Sequence, residues 1–82
     1  MSKAQVIVYS RPGCHLCEEA KEAMNASGCE AEFVLEEINI ETSPDLLNKY
    51  RYDIPVVLIN GNDAFRHRVE VAKFCELIRN EP

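Results

Sequence analysis

YSRPGCHLCEEAKEAM (residues 9–24) sets Cys14 and Cys17 three positions apart, at the point where one sequence pattern gives way to another. Upstream, QVIVY (5–9) is rich in β-branched residues and apolar on both faces, which predicts a strand covered on both sides. Downstream, Leu16, Ala20, Ala23 and Met24 recur at i, i+4, i+7 and i+8, one face of a helix over 14–27 with Gly28 placed to end it. SRPG (10–13) separates the two. The cysteines therefore stand where a strand hands over to a helix.

Outward from this stretch the same patterns continue. EFVLEEINI (32–40) reads as a second strand with an acidic end. In TSPDLLNKY, Ser43 suits an N-cap and Pro44 the first helical position, with Leu46, Leu47 and Tyr50 as a short apolar face. IPVVLIN (54–60) is the most apolar strand, Asn60-Gly61 signals a tight turn, and AFRHR (64–68) returns as an antiparallel partner. Val71, Phe74, Cys75 and Ile78 give a last amphipathic helix over 69–80. The order β-α-β-α-β-β-α predicts one α/β domain over 1–82: a four-stranded mixed sheet flanked by three helices. Its first two strands are parallel and its last two form a hairpin.

Charge narrows the function. Asp and Glu number 14 against 9 Lys and Arg, a formal net charge of -5. Nucleic-acid affinity needs clustered cations, and Arg66-His67-Arg68 is too short a cluster, so no nucleic-acid partner is expected. MSKAQVIVYS (1–10) carries no signal-peptide h-region, and no apolar run approaches the ~18 residues of a membrane span. The expectation is a cytoplasmic monomer without a membrane partner. In a reducing cytosol, four cysteines point to metal or redox chemistry before a disulfide framework.

Three roles compete for the pair: metal clip, structural disulfide, or exchanging dithiol. Structural zinc takes four ligands, and His15, Cys29, His67 and Cys75 supply neither a second CxxC nor an HxxxH, so no metal is expected. Position favours exchange. Ligands of open α/β sheets lie at the carboxyl ends of the strands, where a helix N-terminus presents free N–H groups and partial positive charge. Thiols so placed have pKa values of roughly 3.5–7.5, against ~8.5 for free cysteine. One helical turn on, Cys17 is near enough to attack a mixed disulfide formed at Cys14. His15 adds positive charge when protonated, while Glu18 and Glu19 oppose the thiolate, so a lowered but not extreme pKa is expected. Among the others, Cys75 reads as buried apolar filler, Cys29 as an exposed bystander thiol in a loop, and His67 as a surface residue within a strand. From the residues alone, Pro55 reads as a trans proline opening a strand.

Strand, YSRPGCHLC, helix, then DIPVV and an NG hairpin resemble the glutaredoxin branch of the thioredoxin-like superfamily over about residues 4–80. CHLC departs from the common CPYC and is similar to small glutaredoxin-like proteins carrying CHLCEEA. The resemblance implies a thiol–disulfide oxidoreductase in which Cys14 attacks and Cys17 resolves. It implies a cis Ile54-Pro55 peptide beside the pair, and substrate-binding roles for Arg11, His15, Ile54 and Pro55. Arg11 matches a basic residue that meets a glutathione carboxylate. It requires no cofactor; the partners are a disulfide-bearing protein substrate and, as electron donor, glutathione or a reductase. Two alternatives stand beside this: a glutathione-dependent iron–sulfur carrier, which glutaredoxin relatives suggest, and a non-catalytic binding module using its sheet edge, against which the intact cysteine pair argues. Two departures weaken glutathione as partner: Asp53 replaces the usual Thr, and AFRHRVE stands where a Gly-Gly and following acid grip glutathione.

Overall fold

A computed structural model describes residues 3–80. Strand β1 (Ala4–Ser10) is followed by helix α1 (His15–Asn25), strand β2 (Phe33–Asn39), helix α2 (Pro44–Tyr50), strands β3 (Val56–Ile59) and β4 (Asn62–Arg66), and helix α3 (Val71–Asn80). Short 3-10 turns, Glu30–Glu32 and Ile40–Thr42, flank β2. The four strands lie in the order β2-β1-β3-β4. β1 runs parallel to β2, whereas β3 is antiparallel to β1 and to β4. The expected order and mixed sheet are thus what the chain adopts.

Both faces of the sheet are covered because β1 and β3 are apolar on both. On one face Val6, Val8, Val57 and Ile59 pack with Ala20 and Met24 of α1 and Phe74 and Ile78 of α3. On the other, Val56 packs with Ile40 and with Tyr50 of α2, whose ring stacks on Tyr9 at 4.7 Å. The predicted capping of α2 holds: Ser43 accepts from the Leu46 N–H and Pro44 opens the helix.

The hairpin turn is also as read. Asn60 (φ 51°) and Gly61 (φ 85°) both take the left-handed conformation that a two-residue turn of this twist requires. Pairing resumes at once with Ile59 opposite Asn62, so β4 is Asn62–Arg66 and not 64–68. A register shift between Val57 and Leu58 then absorbs one extra residue. His67 consequently lies beyond the strand, at φ 72°, donating its backbone N–H to the Pro55 carbonyl at 2.9 Å. Helix α1 ends at Asn25, two residues short of the predicted boundary, because the Ser27 hydroxyl takes the Met24 carbonyl at 2.7 Å. The chain then turns at Gly28 (φ 93°).

That turn corrects the reading of two cysteines. Cys29 is 1% exposed, not a surface thiol, because the chain folds back under the sheet against α3. There it is disulfide-bonded to Cys75, which is buried as expected but paired. Spacing along the sequence gave no hint, since 46 positions separate the two.

Candidate active site

The loop at 11–14 leaves the carboxyl end of β1 and delivers Cys14 to the N-cap of α1. Its backbone there is extended (φ -90°, ψ 106°), and its Sγ accepts the Cys17 N–H at 3.2 Å. The sulfur thus occupies the place of a capping oxygen, facing the free N–H groups of the first turn. Cys14 is half-buried; Cys17, one turn on, is 1% exposed. The two are joined as a disulfide with Cα atoms 5.2 Å apart. Cys14 is thus the more accessible member of the pair and Cys17 the buried one.

The cis Ile54-Pro55 peptide is present, against the reading of the residues alone and as the resemblance implied. Tyr9 pairs with Val56, so Pro55 lies at the end of the sheet from which the cysteine loop departs. Pro55 is buried and Ile54 half-buried. Arg11 is committed to an ion pair with Glu41 at 3.1 Å, on the β2 side of the site. His15 is exposed.

Asp53, which stood out in the sequence only as a departure, has a structural task. It accepts from Arg66 Nη1 at 2.7 Å, tying the segment before Pro55 to the end of β4. His67 Nε2 lies 3.9 Å from the other carboxylate oxygen. The RHR cluster is therefore split. Arg66 is neutralised by Asp53 and lies 5.7 Å over the Tyr50 ring, whereas Arg68 has no ion-pair partner among the described residues. Opposite charges thirteen residues apart gave no periodic signal by which this pair could be read.

A groove of about 390 Å³ runs from the motif along α1. Leu16, Ala20, Ala23 and Val69 supply its apolar surface, with Glu19, Glu70, His67 and Arg68 around them. Leu16, inside the CHLC motif, is 44% exposed. Among the described residues no three His, Cys, Asp or Glu side chains converge as a metal-ligand set. No helix of the described chain is long and apolar enough to cross a membrane.

A polar network anchors α1 to the sheet near the site. Buried Ser10 donates to Glu37 at 2.6 Å, and Lys21 reaches both oxygens of Glu37, at 3.1 and 3.0 Å, and Glu18 at 3.1 Å. The Ser10 hydroxyl, then Lys21, holds the Glu37 carboxyl below its ordinary value; Glu37, then Glu18, holds the Lys21 ammonium above its own. Stability from Glu37 is therefore present above the unfolded value of 4.5 and is lost as pH falls through the lower folded value. That from Lys21 is present below 10.5 and lost as pH rises through the higher folded value. The side chain of Glu37 is 43% exposed, so solvent screening holds the pair to about 0.5–1 kcal/mol. Glu37→Gln is expected to lower stability by about that amount at pH 7. The gap from wild type should close in acid, as read by urea unfolding; a constant gap down to about pH 2 would show that ionisation of Glu37 contributes nothing.

A β2-β1-β3-β4 sheet, a cysteine pair at the start of the helix after β1 and a cis proline before β3 define a thioredoxin-like protein. Residues 5–79 match the glutaredoxin-like domain family (DUF836), and the chain belongs to that family. A glutaredoxin-like protein of Dictyostelium discoideum is 35% identical over 71 residues, spanning 79% of this chain and 66% of that relative's length. Protein Ne2328 of Nitrosomonas europaea superposes with a TM-score of 0.81 at 25% identity, covering 95% of this chain and 94% of its own. Protein XcR50 of X. campestris shares the fold with a TM-score of 0.77 at 19% identity, covering 94% and 99%.

Proposed function

We propose that the protein is a thiol–disulfide oxidoreductase that reduces protein disulfides or glutathione mixed disulfides through Cys14 and Cys17. The observation that carries this reading is the asymmetry of the pair: an outer sulfur at a helix N-cap and an inner one 1% exposed. In the reduced protein the Cys14 thiolate attacks a substrate sulfur and breaks the substrate S–S bond. The departing thiolate takes up a proton. Cys17, as thiolate, then attacks the Cys14 sulfur of the mixed disulfide, freeing the second substrate thiol and closing the Cys14–Cys17 disulfide. Two electrons pass to substrate, and an external dithiol or two molecules of glutathione restore the pair. The N–H already directed at Cys14 Sγ favours its thiolate. Ile54 and Pro55 would line the approach to the sulfurs, with His15 at the exposed rim.

Glutathione is expected to serve poorly. A γ-glutamyl amine needs acceptors, which arginines lack, and Arg66 and Arg11 are already paired with Asp53 and Glu41. Arg68 is the cation left to attract a glutathione carboxylate, so Arg68→Ala should slow turnover of a glutathionylated peptide a further two- to fivefold, roughly the worth of an exposed charge contact. The test couples the pure protein separately to glutathione with its reductase and to thioredoxin reductase, using an insulin-type disulfide and a glutathionylated peptide. Turnover of the protein disulfide, with weak glutathione-linked rates, is expected. No turnover with either donor would defeat the proposed activity. Glutathione-linked rates matching a CPYC glutaredoxin and indifferent to Arg68→Ala would overturn the reading of the RHR segment.

A further inference from the structure

The proposed cycle uses one of the two disulfides. The other joins Cys29, after the turn that follows α1, to Cys75 on α3, with Cα atoms 5.9 Å apart. Its residues are 1% and 7% exposed and belong to the main core with Met24, Phe33, Phe74 and Ile78. Helix α1, eleven residues and so about 16 Å long, separates it from the exchange pair.

We propose that Cys29–Cys75 is a second, independent redox centre: a buried disulfide that staples α3 to the α1–β2 connection and exchanges only when residues 27–32 open. Attack on a disulfide needs access to its sulfurs. Ser27 covers both here, its hydroxyl 3.2 Å from Cys29 Sγ and its carbonyl oxygen 3.6 Å from Cys75 Sγ. The cover is held at its rim. Ser27 donates to the Met24 carbonyl at 2.7 Å, the Gly28 N–H donates to the Glu30 carboxylate, and Arg79 of α3 pairs with Glu32 at 3.0 Å. The last two contacts are exposed. They make this segment an opening unit that need not involve the sheet.

The chemistry balances with a small-molecule disulfide, such as oxidised glutathione, as oxidant. One thiolate of the open segment attacks it, forming a mixed disulfide and releasing one small thiolate. The other cysteine's thiolate attacks the protein sulfur of that mixed disulfide and releases the second. Two protein thiols lose two electrons and two protons, and the oxidant becomes two thiols. Reduction by a dithiol reverses both steps. A reductant therefore meets two disulfides of different rank: it opens the accessible pair first and leaves the staple in place.

The test uses the full chain in two forms, wild type and Cys14→Ser/Cys17→Ser, each oxidised with glutathione disulfide. Timed dithiothreitol pulses, alkylation and peptide mass mapping follow each pair. In wild type, Cys14 and Cys17 should be alkylated on the order of 100-fold sooner than Cys29 and Cys75. Mild urea should narrow the gap. In the double variant, where only the second pair can form, full reduction should lower Tm by about 10–30 °C, as expected for releasing a long covalent loop in a small domain. Cys29 and Cys75 labelled as free thiols after oxidation, or reduced as fast as the exchange pair, would overturn the proposal. So would a Tm unchanged by reduction. Because the double variant lacks the exchange cysteines, these results stand whether or not the protein reduces substrates.

Discussion

Cys14→Ser is expected to reduce turnover of a protein disulfide by roughly 10³-fold or more, the scale on which losing a nucleophile acts. The fold should persist, since Cys14 is half-buried and its capping contact with the Cys17 N–H is one a serine hydroxyl also makes. Activity would then fall without a matching fall in stability, which separates chemistry from folding. Cys17→Ser should behave differently. Cys14 still attacks, but nothing inside the protein releases the product, and a mixed disulfide accumulates that non-reducing gels and mass spectrometry detect. The asymmetry is expected because Cys17 is 1% exposed and Cys14 is the more accessible of the two. Trapping by the Cys14→Ser protein, with none by Cys17→Ser, would reverse the two roles.

The parts of this molecule that local patterns specify were legible in the sequence. A β-branched strand, a helix stripe, Ser43-Pro44 and Asn60-Gly61 each act within a few residues, and each is found where its pattern falls. Element ends were less so. The Ser27 hydroxyl shortens α1, and immediate pairing after the turn shifts β4 towards the chain's start. Both depend on which partner takes a given backbone group, and periodicity does not contain that. The site divides the same way. The N-cap position of Cys14 follows from a strand meeting a helix, whereas the cis state of Pro55 came from family resemblance and not from the residues. Asp53–Arg66 and Cys29–Cys75 are contacts across 13 and 46 positions. Only the three-dimensional path of the chain brings them together, so the residues alone make Cys29 a bystander, and Asp53 stands out only against the family pattern.

Phe74→Ala should produce the largest loss of stability of any single substitution considered, about 3–5 kcal/mol. Phe74 is fully buried, meets the Phe33 ring edge-on at 5.1 Å and lies 6.4 Å from Phe65. Truncation removes both ring contacts and leaves a cavity between α3 and the sheet, where close packing leaves little room to collapse. A domain of 82 residues has roughly 4–12 kcal/mol in total, so the variant loses a large share of it. Phe74 also neighbours Cys75, which couples the packing of α3 to the staple. With Cys29–Cys75 closed the unfolded chain is restrained and the variant should stay folded at 25 °C; with it reduced, the two losses fall on one helix and need not add simply. Urea unfolding of oxidised and reduced protein measures both. At a slope of roughly 1–2 kcal/mol per molar, the oxidised variant's midpoint should fall by about 1.5–5 M. A fall below about 0.5 M would show that α3 does not depend on this ring, and that the packing of Phe74 against β2 and β4 is not what holds the helix to the sheet.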